Sequence, residues 1–233
     1  HGMIGTAAAA PLVADALVTN HRRHPAADDT DEHTGSADMD GRIRGGELDL
    51  ALLGLFPDQL PADLSHRVLT VEPLVAAFPP GHRLADSADP VTPGDLAGEE
   101  FVEMRPESGL RHQVDAAFAR AGVTRPIAFE LSTSDNVVRF VHLGFGVALV
   151  PRSATTGRGV AVRPLTDPDA RHPVSLVHRS PAPSSPAARA FLELLDRAHA
   201  DAETWTIDRR RSRYVGRVSA GTVEPVSDPV RNL

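Results

Sequence analysis

At 233 residues, 41% hydrophobic and 24% charged, the chain can bury a substantial core as one large domain or two small lobes, which excludes disorder throughout. A formal net charge of -7 argues against its wrapping nucleic acid by itself, because duplex binding draws affinity from clustered positive charge. Cysteine is absent and every Lys+Arg residue is arginine, so disulfides, thiolate chemistry, cysteine-based zinc, Schiff-base lysines and phosphate-loop lysines are all excluded.

Met3 to Thr6 is a short apolar run, and Thr6 can cap a helix over Ala7 to Arg23 whose inner face is Leu12, Val13, Ala16, Leu17 and Asn20. Pro11 places the regular part a few residues late, and Pro25 stops the helix after the basic His21 to His24. Asp15 interrupts the Ala-rich start, which reads as neither a signal peptide nor a membrane span, so a cytoplasmic protein is expected. Between residues 26 and 40, Asp28, Asp29, Asp31 and Glu32 give poor strand propensity, and the segment is either an exposed edge strand or irregular. His33 breaks the oxygen-ligand spacing of a calcium loop, so a solvated acidic surface and no metal are expected. Ser36 begins the next helix, Ala37 to Gly45.

Gly46 to Gly54 predicts a turn and a fully buried strand, and Leu55 to His66 a loop or short helical turn. Arg67 to Phe78 reads as a strand, followed by Pro79-Pro80-Gly81, a stiff crossing between lobes, with His82 as a structural loop residue. Val91 to Leu96 is a short capped helix, and Glu100 to Met104 a strand. Arg105 follows at its tip, placed either to hold a carboxylate bidentately or to form a surface ion pair with Glu103 or Glu107. Ser108-Gly109 lead into a helix with apolar Leu110, Val114, Phe118 and Ala121, ended by Gly122, and Ile127 to Leu131 is the next strand.

Ser132 to Pro151 changes period in its middle. Val137, Val138 and Val141 recur at helical spacing behind a cap at Ser134 or Asp135, Gly144 stops the helix, and Val147 to Val150 form a strand buried on both faces. The polar turn Ser132 to Asp135 therefore combines short hydroxyls with free helix amides, either as plain capping or as an anion site. Val160 to Pro164 and His172 to Arg179 are strands, and Ser184 or Ser185 caps a helix with core residues Phe191, Leu192, Leu195 and Ala198. Residues 201 to 233, with the only Trp and Tyr and the run Arg209-Arg210-Arg211, read as a flexible extension.

Three runs in this order, G-E-L-D-L-A-L from Gly46, E-P-L-V with P-G-H-R-L-A from Glu72 to Ala85, and L-G-F-G-V-A-L-V-P from Leu143, resemble the effector-binding domain of LysR-type transcriptional regulators. Arg83 stands where that family has proline. The resemblance covers about residues 2 to 200 and implies an α/β fold of two Rossmann-like lobes around a cleft, type 2 periplasmic-binding-protein-like. Lobe I would be 1–78 plus 179–200 and lobe II 79–178. It further implies ligand-binding residues Thr6, Ala7, Ala8, Ser36, Arg105, Ser132, Thr133 and Ser134 around a small polar or carboxylate effector, without catalytic residues, metal or cofactor. Such a domain works as a homodimer or homotetramer, has no membrane partner, and touches DNA only through an N-terminal winged helix-turn-helix absent from this chain, which is then a natural or engineered fragment. Two alternatives share the fold: a solute-binding protein of a transporter, or a small-molecule enzyme. The chain shows no G-x-S-x-G, S-x-x-K or H-E-x-x-H, and Gly144-Phe145-Gly146 follows a helix and is no dinucleotide fingerprint.

Overall fold

The computed structural model describes residues 18–23, 36–181, 183, 185–200, 204–208, 213–219 and 222–225. Residues 18–23 are helical, as the amphipathic pattern predicts, and the rest of that expected helix and the acidic stretch lie outside the described residues. Helix α1 (Ser36–Gly45) closes where the amides of Glu47 and Leu48 return to the Arg42 carbonyl at 2.9 and 3.2 Å, with Gly46 at φ 77. Strand β1 (Leu50–Leu53) is buried at all four positions, as a continuous apolar run requires.

A single long strand then links the two halves of the molecule. Strand β2 (Leu64–Phe78) is 15 residues, and its partners change partway along. From Leu64 to Pro73 it pairs antiparallel with β7 (Arg171–Arg179), which also pairs with β1. From Leu74 to Phe78 it pairs with β5 (Ala148–Pro151) and β6 (Ala161–Pro164). The crossing is therefore made inside an unbroken strand at Pro73/Leu74. The Pro79-Pro80-Gly81 turn expected to carry it comes after the chain has already entered the second sheet, because continuous ladder bonds stiffen a crossing more than a proline turn can.

The second half holds α2 (Pro93–Leu96), β3 (Phe101–Met104), α3 (Gly109–Ala121), β4 (Ile127–Leu131) and α4 (Ser134–His142). Strand β3 runs parallel to β4, and its Phe101 bridges to Val147, the residue before β5. Mostly parallel sheets are the expectation from strand and helix alternation, yet among the described residues the long ladders are antiparallel. The reason is β2 itself: a strand shared by both sheets runs against its neighbours in each.

Both sheets are covered on both faces, and the period-2 alternation of β-strands sorts the side chains. In the first lobe Leu50, Leu52, Val174 and Leu176 pack under Ala188, Phe191 and Leu195 of α5 (Pro186–Ala200), while Ala51, Leu53 and Val177 meet Met39 and Ile43 of α1. In the second, Leu74, Ala76, Phe78 and Leu149 pack on Leu110, Val114 and Phe118 of α3, while Val75, Ala77, Ala148 and Val150 meet Val137, Val138 and Val141 of α4. Two separate cores, each with helices on both sides of a sheet, make the chain an α/β protein of two lobes.

Beyond α5 the structure departs from the flexible extension expected. Strands β8 (Thr204–Asp208), β9 (Arg213–Ser219) and β10 (Thr222–Pro225) form an antiparallel three-stranded sheet in the order β10-β9-β8. The missed signal is β-branched and aromatic enrichment, in T-W-T-I and R-Y-V-G-R-V-S, which turn formers around it masked.

Candidate functional site

The parallel β3-α3-β4-α4 unit brings two strand tips and two helix N-termini to one edge of the second sheet. The Arg105 amide donates to the Leu131 carbonyl at 3.0 Å, so Arg105 and Ser132, each the first residue past its strand, stand side by side. The Ser108 amide returns to the Arg105 carbonyl at 3.0 Å, and α3 begins at once. Its N-cap Ser108 makes no side-chain capping bond, so the first amides of α3 keep their donors. At α4 the cap is made: Thr133 Oγ1 accepts from the Asn136 amide at 3.3 Å. Thr133 is thus the cap, one residue before Ser134 and two before Asp135, the two positions the sequence offers.

Arg105 is exposed, and among the described residues its side chain has no ion pair or hydrogen bond. Neither surface pair forms: Glu103 is taken by Arg125 at 2.6 Å, and Glu107 makes no ion pair with Arg105. A free guanidinium beside two helix N-termini is an arrangement for a carboxylate, which can accept from the fork of the arginine and from backbone amides together. Ser132 is exposed and Ser134 half-buried at the same turn. Ser36 opens α1, its side chain outside the described residues, and Thr6, Ala7 and Ala8 also lie outside them.

A charged network holds this edge in place. Arg111 of α3 donates to the Met104 carbonyl at 3.1 Å, to Glu130 at 2.8 Å and to Asp115 at 3.1 Å, tying the helix to the tips of both strands. Arg125 binds Glu103 and Asp115, both at 2.6 Å, with its guanidinium 4.4 Å from the Phe118 ring centre. Burial pushes the Glu103 carboxyl up to about 7 against the pull of Arg125.

At this same edge the two lobes touch through glycines. A Cβ on Gly109, the first residue of α3, would lie 2.2 Å from the carbonyl oxygen of Gly54, just past β1, and Gln113 donates to Gln59 at 3.2 Å. Gly54 in turn lies against the ring of His172 on β7, where a Cβ would meet Cε1 at 2.5 Å. The imidazole is buried, its Nδ1 has no partner among the described residues, and burial pushes it down to about 4. Neither Ser108 nor His172 stands out in the sequence as a site residue. A serine before a helix reads as a cap, and a histidine in an apolar strand reads as core.

One pH effect follows directly. The unfolded His172 ring protonates near 6.5 and the folded one only near 4, so its contribution is complete above pH 6.5 and lost as the pH falls through about 4, a change of roughly 3 kcal/mol. Urea midpoints at pH 7 and pH 4.5 are expected to fall less for His172→Leu than for the wild type. Equal falls would show that the ring is not held neutral.

The chain is similar to known proteins. The family model of the LysR substrate binding domain matches residues 2–200. The chain belongs to that family. The uncharacterized HTH-type transcriptional regulator YnfL of Escherichia coli (strain K12) is 32% identical over 200 residues, covering 81% of this chain and 65% of that protein, so the chain spans about two thirds of the relative's length. Among solved structures, the C-terminal domain of a probable LysR family transcriptional regulator from Rhodococcus sp. RHA1 matches with a TM-score of 0.69 at 23% identity, over 84% of this chain and 97% of that one. The effector binding domain of QuiR in complex with shikimate matches with a TM-score of 0.68 at 22% identity, over 84% and 93%. As a LysR substrate-binding domain the chain has the type 2 periplasmic-binding-protein-like fold that the motifs implied, and its relatives are transcriptional regulators. Among the described residues no helix is long and apolar enough to cross a membrane.

Proposed function

We propose that this LysR-type domain senses a small carboxylate or polar effector taken between its lobes and passes the occupancy on to DNA binding by a winged helix-turn-helix elsewhere in the regulator, in the cytoplasm. The observation that carries the reading is the Arg105 guanidinium, unpaired among the described residues, at the junction of two helix N-termini, one of them uncapped by its serine. Arg105 and the Ser132-Thr133-Ser134 turn supply the second lobe's half of the site, and Thr6, Ala7, Ala8 and Ser36 the first lobe's half. The solved domains of similar fold that hold shikimate, in QuiR, and benzoate, in BenM, support the ligand class. The expected lobe bounds, 1–78 with 179–200 and 79–178, move earlier at both crossings: β2 changes partners at Pro73/Leu74, and β7 pairs with β1 and packs in the first lobe's core, which favours a return crossing near Ala170/Arg171.

Closure shifts a population between open and closed lobes, and the shift is read by a homodimer or homotetramer. A second copy has a suitable surface. Strand β4 is an edge with Ile127 and Phe129 exposed, and the rings of Phe129, Phe140 and Phe145 cluster at 5.3 to 5.4 Å beside the exposed Leu143. No catalytic residue, cofactor or metal enters this function.

Calorimetric titration with benzoate, shikimate, malate and succinate tests it. The best-bound acid is expected to lose at least about tenfold in affinity in Arg105→Ala, the usual worth of a charged hydrogen bond. Unchanged affinity removes Arg105 from the site, and no binding by the wild type removes carboxylates from the effector class.

A further inference from the structure

We infer that His172 is a ligand-reading residue on the floor of the cleft, and that the effector it reads carries a hydroxyl beside its carboxylate. The inference rests on the sensing function proposed above and names the chemistry of that same site.

The placement comes from strand alternation. Ala170 belongs to the core of the second lobe, while Val174 and Leu176 belong to the core of the first, and His172 lies between them on the same face. It is therefore a buried polar residue at the seam of the two cores. Its ring lies against Gly54, and Gly54 lies against Gly109, where α3 begins. The group that can bind a hydroxyl is thus one glycine contact away from the helix N-terminus that can bind an anion.

The chemistry comes from its missing partner. His172 is 5% exposed and Nδ1 has no hydrogen bond among the described residues. Its cross-strand neighbour Glu72 does not supply one, being committed to the Ser153 amide and hydroxyl at 3.0 and 2.9 Å. By contrast His82, also largely buried, uses both ring nitrogens, Nδ1 with the Leu84 amide at 3.2 Å and Nε2 with Glu99 at 3.1 Å. A buried polar atom without a partner is uncommon enough to mark a place where a partner arrives. A neutral imidazole presents one donor and one acceptor, which matches a hydroxyl and offers no positive charge to a carboxylate. The carboxylate is left to Arg105 and the helix N-termini.

The test uses the full chain labelled with 15N, with the His172 ring signals assigned by their loss in His172→Leu. The probes are acids paired with and without a hydroxyl: lactate and propionate, malate and succinate, salicylate and benzoate, together with shikimate. At least one hydroxylated acid is expected to shift the His172 ring nitrogens and to bind about tenfold or more tightly than its partner. That preference is expected to fall to within about threefold in His172→Leu and to survive in part in His172→Asn, whose Oδ1 sits near the place of Nδ1. If acids perturb the amides of Ser132 to Ser134 but leave the ring unmoved, or keep their preference in His172→Leu, the role of His172 is overturned while the sensing function stands. If no acid perturbs either place, both fall.

Discussion

Replacing Arg125 with alanine is expected to destabilise the chain by about 3 to 5 kcal/mol at pH 8, and by clearly less at pH 5. The side chains of Arg125 and Glu103 are 6% and 3% exposed, so removing the arginine leaves a carboxyl that water cannot reach. The guanidinium also covers Phe118 and Phe101 at 4.4 and 5.5 Å and holds Asp115, and these contacts are lost at every pH. The charge contribution is the part that depends on pH. With its folded value raised from 4.5 to about 7, Glu103 binds a proton more readily folded than unfolded. Its contribution is complete below pH 4.5 and lost as the pH rises through about 7, by roughly 3 kcal/mol. Without Arg125 the folded carboxyl is pushed higher still, so the loss deepens and extends above pH 7. Urea unfolding of the wild type and Arg125→Ala at pH 5 and pH 8 measures the difference. Adding Glu103→Gln is expected to recover most of the extra loss at pH 8, and a deficit that ignores pH would mean that packing alone is at stake.

Gly109→Ala is the second large effect. The added methyl would meet the backbone of Gly54 at 2.2 Å from oxygen and 2.7 Å from carbon, and a backbone cannot turn aside as a side chain can. About 3 kcal/mol is expected, a fall in melting temperature of roughly 6 to 12 °C for a chain of this size. Because the contact joins the lobes, amide exchange should quicken at Gly54 to Leu55 and at the start of α3 before it does in the lobe cores. Gly41→Ala is the matching control. It lies in α1 with nothing within 4 Å of the new methyl, and is expected to stabilise by about 0.5 to 1 kcal/mol. If Gly109→Ala melts like the wild type, the lobes do not rest on this contact.

The elements of the second lobe were legible because their signals are local. Val137, Val138 and Val141 at helical spacing, Gly144 at φ 87 to end the helix, and an unbroken apolar strand behind it need no distant partner to be read. The same holds for Leu110, Val114 and Phe118 on α3, and for Leu50 to Leu53. Arg105 could be placed at a strand tip from the sequence, but its freedom could not. Whether it pairs with Glu103 depends on Arg125, twenty residues further along and brought in only when β3 packs under α3.

By itself, then, the sequence determined the order of strands and helices from Ser36 to the end of α5, the core-facing side of each, the family motifs and the polar turn at Ser132 to Ser134. All of these follow from the periods of helix and strand and from the conformational limits of glycine and proline, which act over a few residues. Tertiary structure alone decided that β2 carries the chain from one sheet to the other, that the sheets are largely antiparallel, that Gly109 rests on Gly54, and that His172 is buried at the seam without a partner for Nδ1. Those facts depend on which strand lies beside which, and pairing is fixed by contacts between residues a hundred or more positions apart, such as Glu72 with His172, where no local pattern reaches.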